Sequence, residues 1–421
     1  MHIELTVERP VAGGDMIARH DGRIVFVRGA IPGERVRAHI VRRKGQVAWA
    51  AVDEVLTASD DRRGEADPTA CGGVTWGHIA IERQRLLKAE IIADAFRRLA
   101  KVTLESPVSV VASPTTEYRM RARLHVQGRQ FGFYREGTHR LCDAAATQQM
   151  RPDTLDAVQK LHATLGDAAS ACEAIAVSES LDARTRVAVC ELRPDVAADP
   201  FIGLPLTDGL TGIAVATPGG VFTSAGTDAI VELGTSVLAE QFAWRDSVRW
   251  QRRGAAFFQS NRFMLGPLVN HVVTAASGDR FVDGYAGVGL FAVALAARGA
   301  EGVAIEGEPV ASRDLELNAR QWSDLRVAST SMEDAVASPM AWRPDVVIVD
   351  PPRTGLSPEV VDGMTAWESP RIVYVSCDVP TLARDIQRLS SSGYRVVSVD
   401  AFDMFPNTPH IECVTVLERA R

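Results

Sequence analysis

The chain has 421 residues, 46% of them hydrophobic and 24% charged, with 46 Lys and Arg against 53 Asp and Glu and a formal net charge of −7. That length exceeds what one hydrophobic core usually organises, so two or three domains are expected, and the composition excludes a disordered or membrane-embedded chain. The acidic balance on its own argues against a nucleic-acid partner, because phosphate binding normally leaves a basic footprint. No apolar run approaches the roughly eighteen residues of a spanning helix. The sequence opens without a basic and then apolar leader. Six cysteines, at 71, 142, 172, 190, 377 and 413, are too sparse for a disulfide scaffold, and a reducing cytoplasm is the expected compartment.

Residues 1–57 read as all-β. Ile3–Val7 and Arg35–Ile40 alternate, Ile24–Val27 and Val47–Val52 are apolar runs, and Gly13-Gly14, Pro32-Gly33 and Lys44-Gly45 mark turns. Short strands at this spacing predict a small barrel of OB-like size. Its nine Lys and Arg against seven Asp and Glu give it a sign opposite to the whole chain. Residues 58–70 are polar and turn-rich and read as a linker. Leu86, Leu87, Ile91, Ile92, Ala95, Phe96 and Leu99 then form a helical stripe. Strand patterns follow at Tyr118–Val126 and Phe131–Tyr134, a helix at Leu155–Leu165, and irregular β-structure from 180 to 225. We read 58–250 as a central α+β region. From 251 to 421 the pattern becomes alternating, with strands at Arg280–Val282, Gly302–Ile305, Val346–Val349 and Ile372–Val375 and helices between them. Buried strands separated by helices predict a doubly wound parallel sheet.

Four segments at or near strand ends carry chemistry. Asp283-Gly284-Tyr285-Ala286-Gly287-Val288-Gly289 follows a strand and opens a helix, where glycines let the backbone approach a ligand, and Glu306 ends the next strand, placed to hydrogen-bond a ribose. The third glycine of a dinucleotide fingerprint is absent, so a donor without pyrophosphate, S-adenosylmethionine, suits this loop better. Asp350-Pro351-Pro352-Arg353 is a rigid turn that fixes Asp350 toward the crevice. Cys377, in Ser376-Cys377-Asp378, ends another strand, where a thiolate is a nucleophile. Cys172, Cys190 and Cys413 sit in apolar or strand-like contexts and read as structural. Glu412 opens a final apolar strand; it reads equally as a proton-transfer group or as a capping or salt-bridging carboxylate.

A thiolate, a methyl donor and a carboxylate are what methylation of a pyrimidine C5 requires. The ring carbon becomes nucleophilic only after a nucleophile adds at C6; Cys377 would add, and Glu412 would remove the C5 proton. Arg353 and Gln259 are candidate donors to the developing enolate.

With these residues in place, the sequence resembles the bacterial RNA 5-methyluridine methyltransferases over most of its length. Phe257-Phe258-Gln259-Ser260-Asn261 resembles the segment whose Gln contacts the cofactor. Tyr285 to Gly289 with Gly287 resembles the cofactor loop, Glu306 the ribose acid and Asp350–Arg353 the DPPR motif. Ser376-Cys377-Asp378 with Thr381–Asp385 resembles the nucleophile motif, and His410-Ile411-Glu412 the general-base motif. Asp21–Val27 and Ile31–Val36 resemble a TRAM domain, an OB-like RNA-binding module. The resemblance implies a class I (Rossmann-like) methyltransferase domain and S-adenosyl-L-methionine as cofactor. It also implies an RNA partner, ribosomal or transfer RNA with the ribosomal one favoured; a monomer and no membrane are expected. Arg119, Arg121 and Arg123 alternate on one candidate strand and, with Arg42, Arg43 and Lys44, read either as contacts to the RNA backbone or as a solvated strand face.

Three departures stand out. Many family members hold a [4Fe–4S] cluster on four cysteines; here only Cys71 and Cys142 are available, two thiolates cannot supply such a site, and no cluster and no other metal is expected. Those two cysteines are read as remnants that pack. The proline after the nucleophile motif is displaced to Pro380. The cofactor loop runs from Gly289 into Leu290 where the family often has Asn, removing one polar contact. The alternatives are an RNA-binding protein with a lapsed methyltransferase domain, a small-molecule C-methyltransferase, which leaves the TRAM segment without a use, and a methyltransferase acting on another pyrimidine.

Overall fold

The computed structural model describes residues 2–64, 70–238 and 248–420. Five strands, β1 (His2–Pro10), β2 (Met16–His20), β3 (Arg23–Arg28), β4 (Arg35–Lys44) and β5 (Val47–Thr57), close into a barrel in the order β1-β2-β3-β5-β4. In β1 the alternation works as its sequence dictates: Ile3, Leu5 and Val7 point in while Glu4, Thr6 and Glu8 face solvent. Strand β2 was not legible because Met16, Ile17 and Ala18 are all buried, so there is no alternation to detect. Asp21 and Gly22, with φ of 49° and 76°, make the two-residue turn into β3.

The segment read as a linker is anchored at its start. Arg62 donates through Nε and Nη2 to the buried Glu34 carboxylate at 2.6 Å each. Residues 65–69 of that segment lie outside the described residues. Next comes helix α1 (Ile81–Ala95), which continues through a wider π-turn over Phe96–Ala100. Its buried face is Gln84, Leu87, Lys88, Ile91, Ile92 and Ala95. This corrects the predicted stripe: Leu86 and Leu99 are 58% and 45% exposed, and two polar residues take the inward positions. A short strand, β6 (Ser109–Val111), follows.

The central sheet contains β7 (Arg121–Gln127), β8 (Gln130–Tyr134), β9 (Leu141–Cys142), β10 (Cys172–Glu179), β11 (Arg186–Leu192), β12 (Gly212–Thr217) and β13 (Gly220–Gly226), ordered β13-β12-β11-β10-β7-β8-β9. Helix α2 (Pro152–Leu165) covers it with Ala157, Val158, Leu161 and Leu165. A two-stranded ribbon, β14 (Ala229–Leu233) and β15 (Arg249–Arg253), follows.

The C-terminal sheet contains β16 (Arg280–Gly284), β17 (Glu301–Ile305), β18 (Leu325–Ala328), β19 (Val346–Val349), β20 (Arg371–Ser376), β21 (Tyr394–Phe402) and β22 (Glu412–Arg419). Their order is β18-β17-β16-β19-β20-β22-β21, with β6 added in parallel beside β21. Strands β16 to β20 are parallel and β22 runs antiparallel between β20 and β21. Strand order reverses between β16 and β19, so the crevice beyond their C-terminal ends is where a ligand binds. Apolar side chains run without a break from the barrel (Val36, Ala38) through Leu87 and Ile91 of α1 to Leu382 and Ile386. Barrel and C-terminal sheet thus share one core, with α1 as the wedge. Among the described residues no helix is long and apolar enough to cross a membrane.

Candidate active site

The loop after β16 is held in a conformation that few residues tolerate. Tyr285 has φ of 60°, a left-handed value that a bulky residue adopts only when its surroundings enforce it. Gly287 (φ 56°) needs glycine for the same backbone reason, and the space above it is open. Gly289 (φ 87°) needs it twice over, since a Cβ would meet Leu315 Cδ1 at 2.7 Å. The Trp250 indole N–H donates to the Gly289 carbonyl at 3.1 Å and Asn318 Nδ2 donates to that of Val288 at 2.9 Å. Glu306, at the tip of β17, accepts from the amides of Gly287 (2.7 Å) and Glu308 (2.6 Å).

Asp283 lies under this loop, fully buried. Its Oδ2 accepts from the Ala292 amide at 2.9 Å, whereas Oδ1 is buried with no partner. Burial, together with Asp350 and Glu306, pushes its carboxyl well above the ordinary range. An orphaned acid oxygen, an open glycine position and an acid at the tip of the second strand fit a ligand with a cationic amino-acid end and a ribose. Gln259, 7% exposed, stands on the turn after β15, where Asn261 fixes the backbone by donating to Ser113 Oγ and the Met404 carbonyl at 2.9 Å each.

On the other side of the crevice the sheet register brings the two reactive candidates together. The last rung between β20 and β22 pairs Ser376 with Cys413. Cys377 is the first residue after β20 and Glu412 the first of β22, so both lie just beyond that rung, near enough for Glu412 to raise the thiol. Asp350 follows Val349, which pairs with Tyr374 on β20 and Gly284 on β16. The thiol, the two carboxyls and the glycine loop therefore share one end of the sheet. Burial raises Cys377 to about 11, with Glu412 and Asp350 adding to the shift and Arg353 opposing it. Burial raises Asp350 to about 7. Burial and Asp350 raise Glu412 well above its ordinary value, again against Arg353. The site is largely buried and rich in acids, with the exposed Arg353 as the cation acting on Cys377 and Glu412. Cys172, Cys190 and Cys413 are buried, as read, and Cys377 is the free cysteine among the described residues that is not fully buried.

The residues after Cys377 have structural tasks that their sequence did not disclose. Asp378 caps the helix Val379–Ser391 by accepting from the Thr381 amide at 2.9 Å. Pro380 therefore falls in the first turn, where its missing N–H removes no bond, and the displaced proline is accommodated. The Thr381 hydroxyl donates to the Arg353 carbonyl (3.1 Å), Arg384 to that of Thr354 (2.7 Å), and Asp385 accepts from the Leu356 amide (2.8 Å).

The three predicted RNA-contact arginines differ in setting. Arg119 precedes β7, donates to Gln149 Oε1 at 2.8 Å, and lies over the Phe133 and Phe405 rings at 5.2 and 5.6 Å. Arg121 lies 5.6 Å over Phe257, which is 61% exposed. Arg123 is neutralised by Glu191 (2.6 Å) and Glu173 (2.9 Å). Arg42 stacks on Trp49 at 3.9 Å.

Cys71 and Cys142, read as packed remnants, are joined in a disulfide across 71 residues of sequence. Their sulfurs are committed to each other, and among the described residues no group of three or more His, Cys, Asp or Glu is placed to hold a metal ion. The residues present do not fit a four-thiolate cluster.

A doubly wound sheet with an antiparallel seventh strand, a glycine loop over an orphaned acid and an acidic tip on the second strand define an S-adenosylmethionine-dependent methyltransferase. Comparison with known proteins gives the family. The family described as tRNA (Uracil-5-)-methyltransferase matches residues 227–420, and the TRAM domain matches residues 2–52. An uncharacterized RNA methyltransferase of Streptomyces avermitilis is 31% identical, covering 98% of this chain and 97% of its own. The 23S rRNA (uracil(1939)-C(5))-methyltransferase RlmD of Pseudomonas entomophila is 31% identical, covering 98% and 93%. The chain belongs to this family of RNA methyltransferases. A crystal structure of the Pyrococcus abyssi tRNA (uracil-54, C5)-methyltransferase with S-adenosyl-L-homocysteine has the same fold, with a TM-score of 0.74 at 23% identity over 98% of this chain and 99% of its own.

Proposed function

We propose that this protein methylates C5 of a uridine in RNA through a covalent intermediate on Cys377, with Glu412 as the base that releases the product. The observation that carries the reading is that Cys377, just after β20, and Glu412, opening β22, lie beyond the Ser376–Cys413 rung at the end of the sheet that also holds the glycine loop. Bound there, S-adenosylmethionine would supply an electrophilic methyl group for C5 and a positive charge that suits a site lined by Asp350 and Glu412. Gly287, Tyr285, Glu306, Asp350 and Gln259 are the residues that hold it.

The Cys377 thiolate adds to C6 of the ring, and the C5–C6 π electrons move toward O4 as an enolate. Arg353 and Gln259 stabilise that charge, and C5 would take the methyl group as the donor's S–CH3 bond breaks and its electron pair returns to sulfur, leaving a neutral thioether. Glu412 then takes the proton from C5, the C5–C6 double bond re-forms, and the C6–S bond breaks to return the thiolate. The carboxyl's raised affinity for protons suits it to this removal.

RNA has to present the base outside a helix, since neither ring face is reachable in a stack. Arg119, Arg121, Arg42 and Lys44 are the contacts we assign to its backbone, with Arg123 held by two glutamates. The RlmD relatives favour ribosomal RNA as the substrate. Nucleoside mapping of ribosomal and transfer RNA from a deletion strain tests the reading. One 5-methyluridine should disappear from the large ribosomal RNA, and unchanged 5-methyluridine in every RNA refutes the proposal.

A further inference from the structure

Helix α1 lies outside the methyltransferase motifs, yet its two buried polar residues reach one loop. Strands β21 and β22 are joined by residues 403–411, and the last rung before that loop pairs Phe402 with Glu412. Asp403 is thus the first loop residue beyond the rung that carries the candidate base. Lys88 Nζ donates to Asp403 Oδ1 at 2.5 Å and to the Phe405 carbonyl at 3.2 Å, and neither charged side chain has any exposed surface. One turn earlier on the same face, the fully buried Gln84 exchanges two bonds with Asn407. Its Nε2 donates to Asn407 Oδ1 at 3.0 Å and its Oε1 accepts from the Asn407 amide at 2.9 Å. Positions 84 and 88 are neighbours on a helix surface, so one edge of α1 grips both halves of a nine-residue loop. Trp76 adds a third point through its amide to the Asn407 carbonyl, at 2.8 Å, while its indole N–H reaches the barrel at the Gly14 carbonyl, at 3.0 Å.

A buried ion pair is expensive to desolvate, and apolar residues of similar size would serve stability as well or better. Packing alone therefore does not account for Lys88 and Asp403. We propose that Gln84 and Lys88 are positioning residues for the release step: through Asn407, Asp403 and Phe405 they fix the hairpin loop so that Glu412 meets the C5 proton. This rests on the reading of Glu412 as the base.

The test uses three full-length variants: Gln84→Met, the double Lys88→Met/Asp403→Leu, which replaces the pair by apolar groups of similar volume, and Glu412→Gln. Each is given S-adenosylmethionine and substrate RNA containing either uridine or 5-fluorouridine. The 5-fluorouridine adduct needs Cys377 and the methyl donor but no proton removal, so it reports whether the rest of the site is intact. We expect both α1 variants to form that adduct as wild type does. On ordinary RNA, kcat should fall by roughly tenfold or more with KM little changed, since small misplacement of a catalytic group is costly, and methylated adduct should accumulate as it does with Glu412→Gln. Wild-type turnover in both α1 variants overturns the proposal. So does loss of the 5-fluorouridine adduct in both, which would mark the contacts as merely structural. If Glu412→Gln itself accumulates no methylated adduct, the base assignment fails, and this proposal with it.

Discussion

The hydroxyl of Thr381 donates to the backbone carbonyl of Arg353 at 3.1 Å, joining the helix after Cys377 to the DPPR turn. Asp385, one turn further, completes the joint: it accepts from the Leu356 amide and the Tyr374 hydroxyl, both at 2.8 Å, and from Arg384 at 3.0 Å, with no exposed surface of its own. Cys377, Asp350 and Arg353 are therefore carried by parts that move together.

Replacing Asp385 with Ala strands the Leu356 amide and the Tyr374 hydroxyl in an apolar setting. We expect a loss of about 2–4 kcal/mol and a fall in Tm of several degrees, measured by calorimetry, whereas Arg384→Lys should change Tm little. An unchanged Tm in Asp385→Ala would show that the joint contributes nothing.

Glu306 accepts two backbone amides in a geometry that leaves it at the mouth of the cofactor loop. Hydrogen bonds to a charged acceptor are worth about 1.5–3 kcal/mol, so Glu306→Ala should weaken S-adenosylmethionine binding by roughly ten- to a hundredfold in isothermal titration. The 5-fluorouridine adduct should still form at saturating cofactor. Equal affinity in the variant would place the ribose elsewhere.

The motifs were legible because each is local. A strand end, a tight loop and the reactive side chain lie within five or six residues, and the backbone demands of Gly287, Gly289 and Pro351 are written in the residues themselves. What supports them was not legible. The pairing of β6 with β21, the grip of Gln84 on Asn407 and the Asp385 joint depend on contacts across tens to hundreds of positions. The stripe on α1 misled for a related reason: Leu86 is exposed while Lys88 is buried, because the partner waiting at the core is a carboxylate. Arg123 shows the same limit, since the two glutamates that neutralise it come from other strands.

The Cys377 thiol, raised to about 11, is protonated in the free enzyme near neutrality, so its alkylation by iodoacetamide should be slow at pH 7 and rise with pH toward that value. Glu412→Gln removes a negative neighbour and should shift the alkylation profile to lower pH; Arg353→Gln removes the opposing cation and should shift it upward. A profile centred near the ordinary thiol value, unmoved by both changes, would mean that these groups do not act on the sulfur.

The central claim is that Cys377 attacks the ring, and one measurement addresses it directly. Fluorine at C5 leaves no proton for Glu412 to remove, so the enzyme, S-adenosylmethionine and a 5-fluorouridine-containing 23S ribosomal RNA transcript should stall as a covalent complex. Mass spectrometry of the digested complex should find the Cys377 peptide bonded through sulfur to a C5-methylated 5-fluoro-dihydrouridine, with no complex in Cys377→Ala. A complex on another residue, or full turnover by Cys377→Ala on ordinary RNA, would contradict the account.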